Sequence, residues 1–210
     1  MTRPEQILPI FPLRAVLYPK MLLPLYVHET PFKEMIGDCI ENQLPFGLVL
    51  KAGGIQYEVG CSAVVAKVLT RHEDGRMQIL AEGDRRIRLL GRESDTPYPK
   101  FRVQFLPEPK DPARERAVQS KVREIIELYK EGVWILKPKY LFHIKAASRQ
   151  EDFSFSLAHF TIPHLTIRQS ILEMPGEAER LDLVIRYYKD ILPELKPLGG
   201  NGGRPTFVSP

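Results

Sequence analysis

The chain opens with short apolar runs cut by prolines. Gln6–Leu13 and Leu22–Val27 read as strands, with Pro9, Pro12, Pro19 and Pro24 among them. A proline has no N–H for a ladder, so such strands should be sheet edges or bend at the prolines. Phe46–Lys51 and Val59–Leu69 are further apolar runs, and Gly60 suggests a bulge. Asp74-Gly75 is a hairpin signal, and Met77, Ile79 and Ala81 then alternate with Gln78 and Leu80. Glu82-Gly83-Asp84 reads as a second turn. Ile87 and Leu89 alternate with Arg86 and Arg88, and Phe101, Val103 and Phe105 with Arg102 and Gln104. Consecutive hairpins of this kind predict a mostly antiparallel, curled sheet or small barrel.

One helix interrupts the strands. Phe32, Met35, Ile36, Cys39 and Ile40 share one helical face, behind a start at Thr30-Pro31. Leu106-Pro-Glu-Pro-Lys-Asp-Pro112 then marks a boundary. Beyond it Val118, Val122, Ile125, Ile126, Tyr129 and Val133 recur at helical spacing. Ser148-x-x-Glu151 and Thr166-x-x-Gln169 fit the capping-box pattern, and a last helix runs from about Gly176 to Leu195. The expected class is α+β: a β-rich unit over 1–108 with one inserted helix, a helical bundle over 109–196, and a glycine-rich tail over 197–210.

Composition narrows the function classes. At 210 residues, 43% hydrophobic and 27% charged, the chain has enough apolar side chain for a core. No run approaches a membrane span of about 18 apolar residues. Met1-Thr-Arg-Pro-Glu leads into a strand pattern, so no signal peptide is expected. Cys39 and Cys61 make no disulfide framework, which fits reduced thiols in the cytoplasm. The net charge is +4, but residues 1–108 carry 14 basic and 13 acidic side chains, leaving 16 and 13 for the remainder. Both signs are interspersed throughout, unlike a dedicated phosphate-binding face.

Candidate chemistry is sparse. No P-loop and no G-x-S-x-G elbow occurs. His159 and His164 are five apart with Pro163 between them, which does not suit a metal pair on one helix. An enzyme would need a cleft holding His143, His159 or His164 beside a carboxylate. The residues thus suggest no catalytic group, metal or cofactor. Arg85, Arg86 and Arg88 form the densest basic run, with Lys67 and Arg102 as candidate neighbours. They are the nucleic-acid candidates, although a solvated strand face paired with Glu82 and Asp84 is the plainer reading. The segment Phe11–Tyr26 is unusually apolar. With Tyr18, Pro19 and Met21 at a loop tip it would expose an apolar patch, the usual mark of an interaction site.

Leu8-Pro-Ile-Phe-Pro-Leu-Arg-Ala-Val-Leu-Tyr-Pro-Lys-Met-Leu-Leu-Pro-Leu25 resembles the opening of the N-terminal domain of Lon proteases. Pro45–Leu50, Val59–Leu69 with Asp74-Gly75 and Ala81–Leu89, and Arg168–Met174 followed by Glu179-Arg-Leu181 resemble later parts of that domain, in the same order. Lys20 stands where many relatives have glycine. The resemblance implies a PUA-like pseudo-barrel followed by a helical bundle. It also implies a non-catalytic role in recognising polypeptides. Unfolded or extended segments, or a separate protease or chaperone, would be the partners. Phe11, Tyr18, Pro19 and Met21, with Tyr57 further off, are the expected contacts. The ATPase and peptidase modules of a full Lon protease have no counterpart before Pro210, and no catalytic residue carries over. RNA binding through Arg85, Arg86 and Arg88 is the alternative that a PUA-like resemblance leaves open.

Overall fold

The computed structural model describes residues 5–107, 112–132 and 152–195. They form two compact units. The first holds the chain up to Pro107 together with His164–Glu173. Its strands are β1 (Glu5–Leu13), β2 (Leu22–Val27), β3 (Phe46–Ala52), β4 (Ile55–Arg71), β5 (Met77–Ser94) and β6 (Lys100–Phe105), with helix α1 (Thr30–Glu41) after β2.

The six strands lie in the order β2-β5-β4-β3-β1-β6, and β6 also pairs with β5. The sheet therefore closes into a barrel through β5, β4, β3, β1 and β6, in which each strand has two neighbours, though not along its whole length. Among the described residues all strand pairings are antiparallel except β1 with β3. Strand β2 stays outside the ring. It pairs with β5 from Met77 to Glu82, whereas β6 pairs with β5 from Ile87 to Ser94.

The prolines sit where the ladder can lose a donor. β1 bonds β6 from Glu5 to Pro9 and β3 from Ile10 to Leu13, so each half is an edge on one side. β1 is thus an interior strand that changes neighbours at Pro9.

Glu82-Gly83-Asp84 is not a turn. β5 runs unbroken for 18 residues, and its register against β4 slips between Cys61 and Ala63. The bulge is fastened by Ser62, whose hydroxyl donates to the Arg85 carbonyl and accepts from the Arg85 N–H, both at 3.1 Å. Gly83 serves a close approach here, since a β-carbon on it would lie 2.1 Å from the Tyr18 carbonyl oxygen.

Two apolar clusters fill the first unit. One gathers Phe11, Leu17, Leu25 and Val27 with Met35, Ile36 and Cys39 of α1 and with Leu48, Cys61, Ile79 and Tyr98. The other holds Leu8, Ile10, Val49, Ile87, Leu89, Val103 and Phe105.

Helix α4 (Leu165–Glu173) also belongs to this unit, so a division by chain order into 1–108 and 109–196 does not describe the packing. Polar anchors hold it there. Gln169, 1% exposed, donates from Nε2 to the Val59 carbonyl at 2.9 Å. Gln169 therefore does not close a capping box with Thr166, which lies inside the helix.

The second unit contains α2 (Pro112–Glu131), α3 (Phe153–Thr161) and α5 (Glu177–Leu195). Both α2 and α3 pack on α5. Arg180 is 1% exposed, pairs with Asp152 and Glu177 at 2.9 Å, and lies 4.1 Å from the Phe155 ring centroid. A buried guanidinium needs such partners to offset lost hydration. Val133, His143, the Ser148–Glu151 box and the 197–210 tail lie outside the described residues. Among the described residues no helix is long and apolar enough to cross a membrane.

Candidate functional site

The expected patch is largely interior. Tyr18 is fully buried, Phe11 is buried in the α1 core, and Pro19 is buried with them. Tyr18 through Met21 form a tight turn closed by the Met21 N–H donating to the Tyr18 carbonyl at 3.2 Å. Proline at the first central position and φ of +63° at Lys20 mark it as type II. Apolar side chains that fold inward at such a turn offer nothing to a partner. Met21 remains half-buried at the exit of the turn. Tyr57, also half-buried, lies on the arm of β4 that pairs with β3. The expected contacts therefore do not come together as one surface.

The exposed apolar surface lies next door, on β2, β5 and β4. Residues opposite one another on paired strands point to the same face. The register sets Leu22, Glu82 and Val64 in one row. Pro24, Leu80 and Lys67 form the next, and Tyr26, Gln78 and Thr70 the third. Leu22 and Tyr26 are each 46% exposed and Val64 is 42% exposed. Pro24 is exposed and Leu80 half-buried. The alternate rows point the other way: Leu25 and Ile79, and Val27 and Met77, are buried in the α1 core. Strand β2 is thus apolar on both faces, with only one of them covered.

Tyr26 is held in place. Its hydroxyl accepts a hydrogen bond from Arg76 Nη1 at 3.2 Å, and its ring stacks on His28 with centroids 5.5 Å apart. Arg76 is itself fixed by Asp74 at 2.6 Å. The Arg76 main-chain N–H, then its side chain, hold the Asp74 carboxyl below its ordinary range. An aromatic ring braced in this way loses little freedom on contact with a partner.

The three arginines do not form one basic face. Arg86 is 2% exposed. It donates from Nη1 to the Leu172 carbonyl at 3.0 Å and from Nη2 to the Pro107 carbonyl at 2.8 Å. Leu172 lies in the last turn of α4, where carbonyls lack helical partners, so Arg86 caps that helix. Arg85 is exposed, pairs with Asp84 at 3.1 Å and lies over the Phe105 ring at 3.8 Å. Arg102 lies between Glu5 and Glu93, Lys67 belongs to the apolar face just described, and Arg88 is exposed on β5.

Sequence reasoning missed Leu22, Tyr26, Val64 and Leu80. The available signal was the run Leu22–Val27, which carries no polar residue at alternate positions as a one-sided strand would. It also missed the anchoring of α4. His159 packs edge-on against Phe160 with centroids 4.7 Å apart. Among the described residues no group of His, Cys, Asp or Glu is arranged to hold a metal ion.

Residues 7–190 match the family of the ATP-dependent protease La (LON) substrate-binding domain. The Lon protease of Dictyoglomus thermophilum is 26% identical over 196 residues, and that of Paraburkholderia phytofirmans 30% over 195. Each alignment covers 87% of this chain and 24% of the relative, so the chain spans about a quarter of their length. Among solved structures, the Lon N-terminal domain protein from Xanthomonas campestris superposes with a TM-score of 0.63 at 20% identity. It is matched over 98% of its length and 87% of this chain. The N-terminal domain of Mycobacterium avium complex Lon protease gives 0.70 at 13% identity, over 99% of its length and 88% of this chain. At these identities the two structures speak for the α+β fold.

Proposed function

The chain belongs to the ATP-dependent protease La (LON) substrate-binding domain family, and from that premise we propose that it recognises polypeptide segments without acting on them chemically. The observation that carries the reading is the uncovered apolar face of Leu22, Pro24, Tyr26, Val64 and Leu80. A partner that fits it has several apolar side chains displayed together, as an unfolded or extended stretch of protein does. Affinity rests mainly on Leu22 and Tyr26, because a shallow face offers few deep anchors. The buried positions of Cys39 and Cys61 support a reducing, cytoplasmic setting.

The test is a fluorescence titration of the full chain with a permanently unfolded, labelled protein. Leu22→Ser and Tyr26→Ser are expected to weaken binding about tenfold in combination. Each substitution should cost about 1 kcal/mol of stability, since both side chains are only 46% exposed and Tyr26 also loses its contacts to Arg76 and His28; that loss leaves the protein folded. Unchanged affinity in the double variant would remove this face as the site. Absence of any binding at several hundred micromolar would remove the function.

A further inference from the structure

The face described above ends at a sheet edge that is itself unfilled. β5 is the only strand beside β2 among the described residues. The Gly83 N–H donates to the Met21 carbonyl at 3.0 Å, so Met21 turns its main chain towards β5. No register shift follows along β2. Main-chain direction alternates along a strand, so Leu23, Leu25 and Val27 also face β5, and Leu22, Pro24 and Tyr26 face away. Pro24, the residue that could not donate to β5, stands at an outward position and costs the β2–β5 ladder nothing. The open side then offers the N–H groups of Leu22 and Tyr26 and the carbonyls of Leu22, Pro24 and Tyr26.

Natural sheets fence such edges with charged side chains, lysine above all. Met21–Val27 carries none. Only Pro24 blunts the edge, by one donor. The segment that matches an uncharged edge is itself uncharged, since a charged residue pressed against it would lose water and gain no partner.

We propose that β2 takes up an uncharged, extended segment of substrate polypeptide as an added antiparallel strand. Residues of that segment that turn their main chain to β2 place their side chains on the same face as Leu22, Pro24 and Tyr26. Side-chain and main-chain recognition are thereby locked in one phase. The preferred segment alternates apolar and small polar residues, with the apolar set beside Leu22 and Tyr26. This mode rests on the function proposed above, and it adds a dependence on the substrate's main chain that apolar contact alone does not have.

N-methylation of the peptide separates the two. A ten-residue peptide alternating leucine or valine with serine or threonine is titrated against the full chain. It is compared with one copy N-methylated at two apolar positions and another at two polar positions. Strand addition predicts loss of at least tenfold in affinity for the first copy and little change for the second. The variant Pro24→Val, which restores one outward donor, is expected to bind the parent peptide about fivefold more tightly, the effect of one main-chain hydrogen bond. Equal binding of both methylated copies and the parent overturns strand addition and leaves recognition by the apolar face standing. No binding of the parent peptide, with the unfolded protein still bound, also overturns strand addition. No binding of either overturns the function itself.

Discussion

The hydroxyl of Tyr18 donates a 2.9 Å hydrogen bond to the main-chain carbonyl of Arg168, a residue 150 positions further along the chain. Arg168 answers from its side chain, donating from Nη2 to the Val16 carbonyl at 3.1 Å, with its guanidinium 5.7 Å from the Tyr18 ring centroid. The turn that launches β2 is therefore held from α4. Tyr18→Phe removes one hydrogen bond and should cost about 1 kcal/mol. Tyr18→Ala also opens a cavity, and the cost expected for a large buried ring is about 3–5 kcal/mol. Urea denaturation measures both. A Tyr18→Ala protein as stable as wild type would contradict the buried placement.

Arg86 makes a second demand on α4. From a buried position, Nη1 and Nη2 donate to the Leu172 and Pro107 carbonyls. Arg86→Met keeps the length of the stem but leaves both carbonyls without that partner, at a cost of about 2–4 kcal/mol. Arg88→Ala, at an exposed position, should stay within about 0.5 kcal/mol. Hydrogen exchange of the α4 amides gives a second reading. Faster exchange from Ile171 to Glu173 is expected in Arg86→Met and not in Arg88→Ala.

These two residues show what the sequence could and could not convey. The alternation around Ile87 and Leu89 located β5, and the spacing of Phe32, Met35, Ile36 and Cys39 located α1, because both patterns answer to burial on one face. Arg86 also alternates, but its neighbour across space lies 86 positions away. Nothing local distinguishes an arginine facing water from one facing a helix end. Tyr18 failed for the converse reason. A proline-rich apolar segment is compatible with a displayed tip or an inward turn, and only the carbonyl of Arg168 decides between them. The exposed face was the hardest to read, since it depends on the register of three strands. The Glu82-Gly83-Asp84 stretch likewise looks like a turn until Met21 supplies a partner for the Gly83 N–H and Ser62 one for the Asp84 carboxylate.

Lys20 occupies the second central position of the Tyr18–Met21 turn at φ +63°. A β-carbon makes that conformation cost about 1 kcal/mol or more. Glycine adopts it freely but loses more freedom on folding. Lys20→Gly is expected to gain about 0.5–1 kcal/mol in a denaturant titration, the difference of those two effects. Lys20→Val should lose stability, because a β-branched residue tolerates the left-handed region worst. A stabilised valine variant would mean that the turn is not held in this form.

Cys39 provides a pH-dependent test of the α1 core. Burial pushes its thiol up to about 11 from 9.0, with the neighbouring Asp38 carboxylate adding to the effect. A raised thiol pKa means that the unfolded chain ionises first as pH rises. Below about pH 9 both states keep the proton and the contribution is intact. Between about 9 and 11 the unfolded state alone releases it, so stability falls as pH climbs through that window. Tyr98, raised from 10.0 to about 12 by burial and its hydrogen bond to Asp38, adds a fall of its own between about pH 10 and 12, in wild type and Cys39→Ala alike. Cys39→Ala removes the thiol, and its stability should decline less steeply than wild type from pH 9 to 11. At pH 8 the native thiol should resist alkylation that proceeds readily in urea. Parallel pH–stability curves for the two proteins, or ready labelling of native Cys39, would place that side chain outside the core.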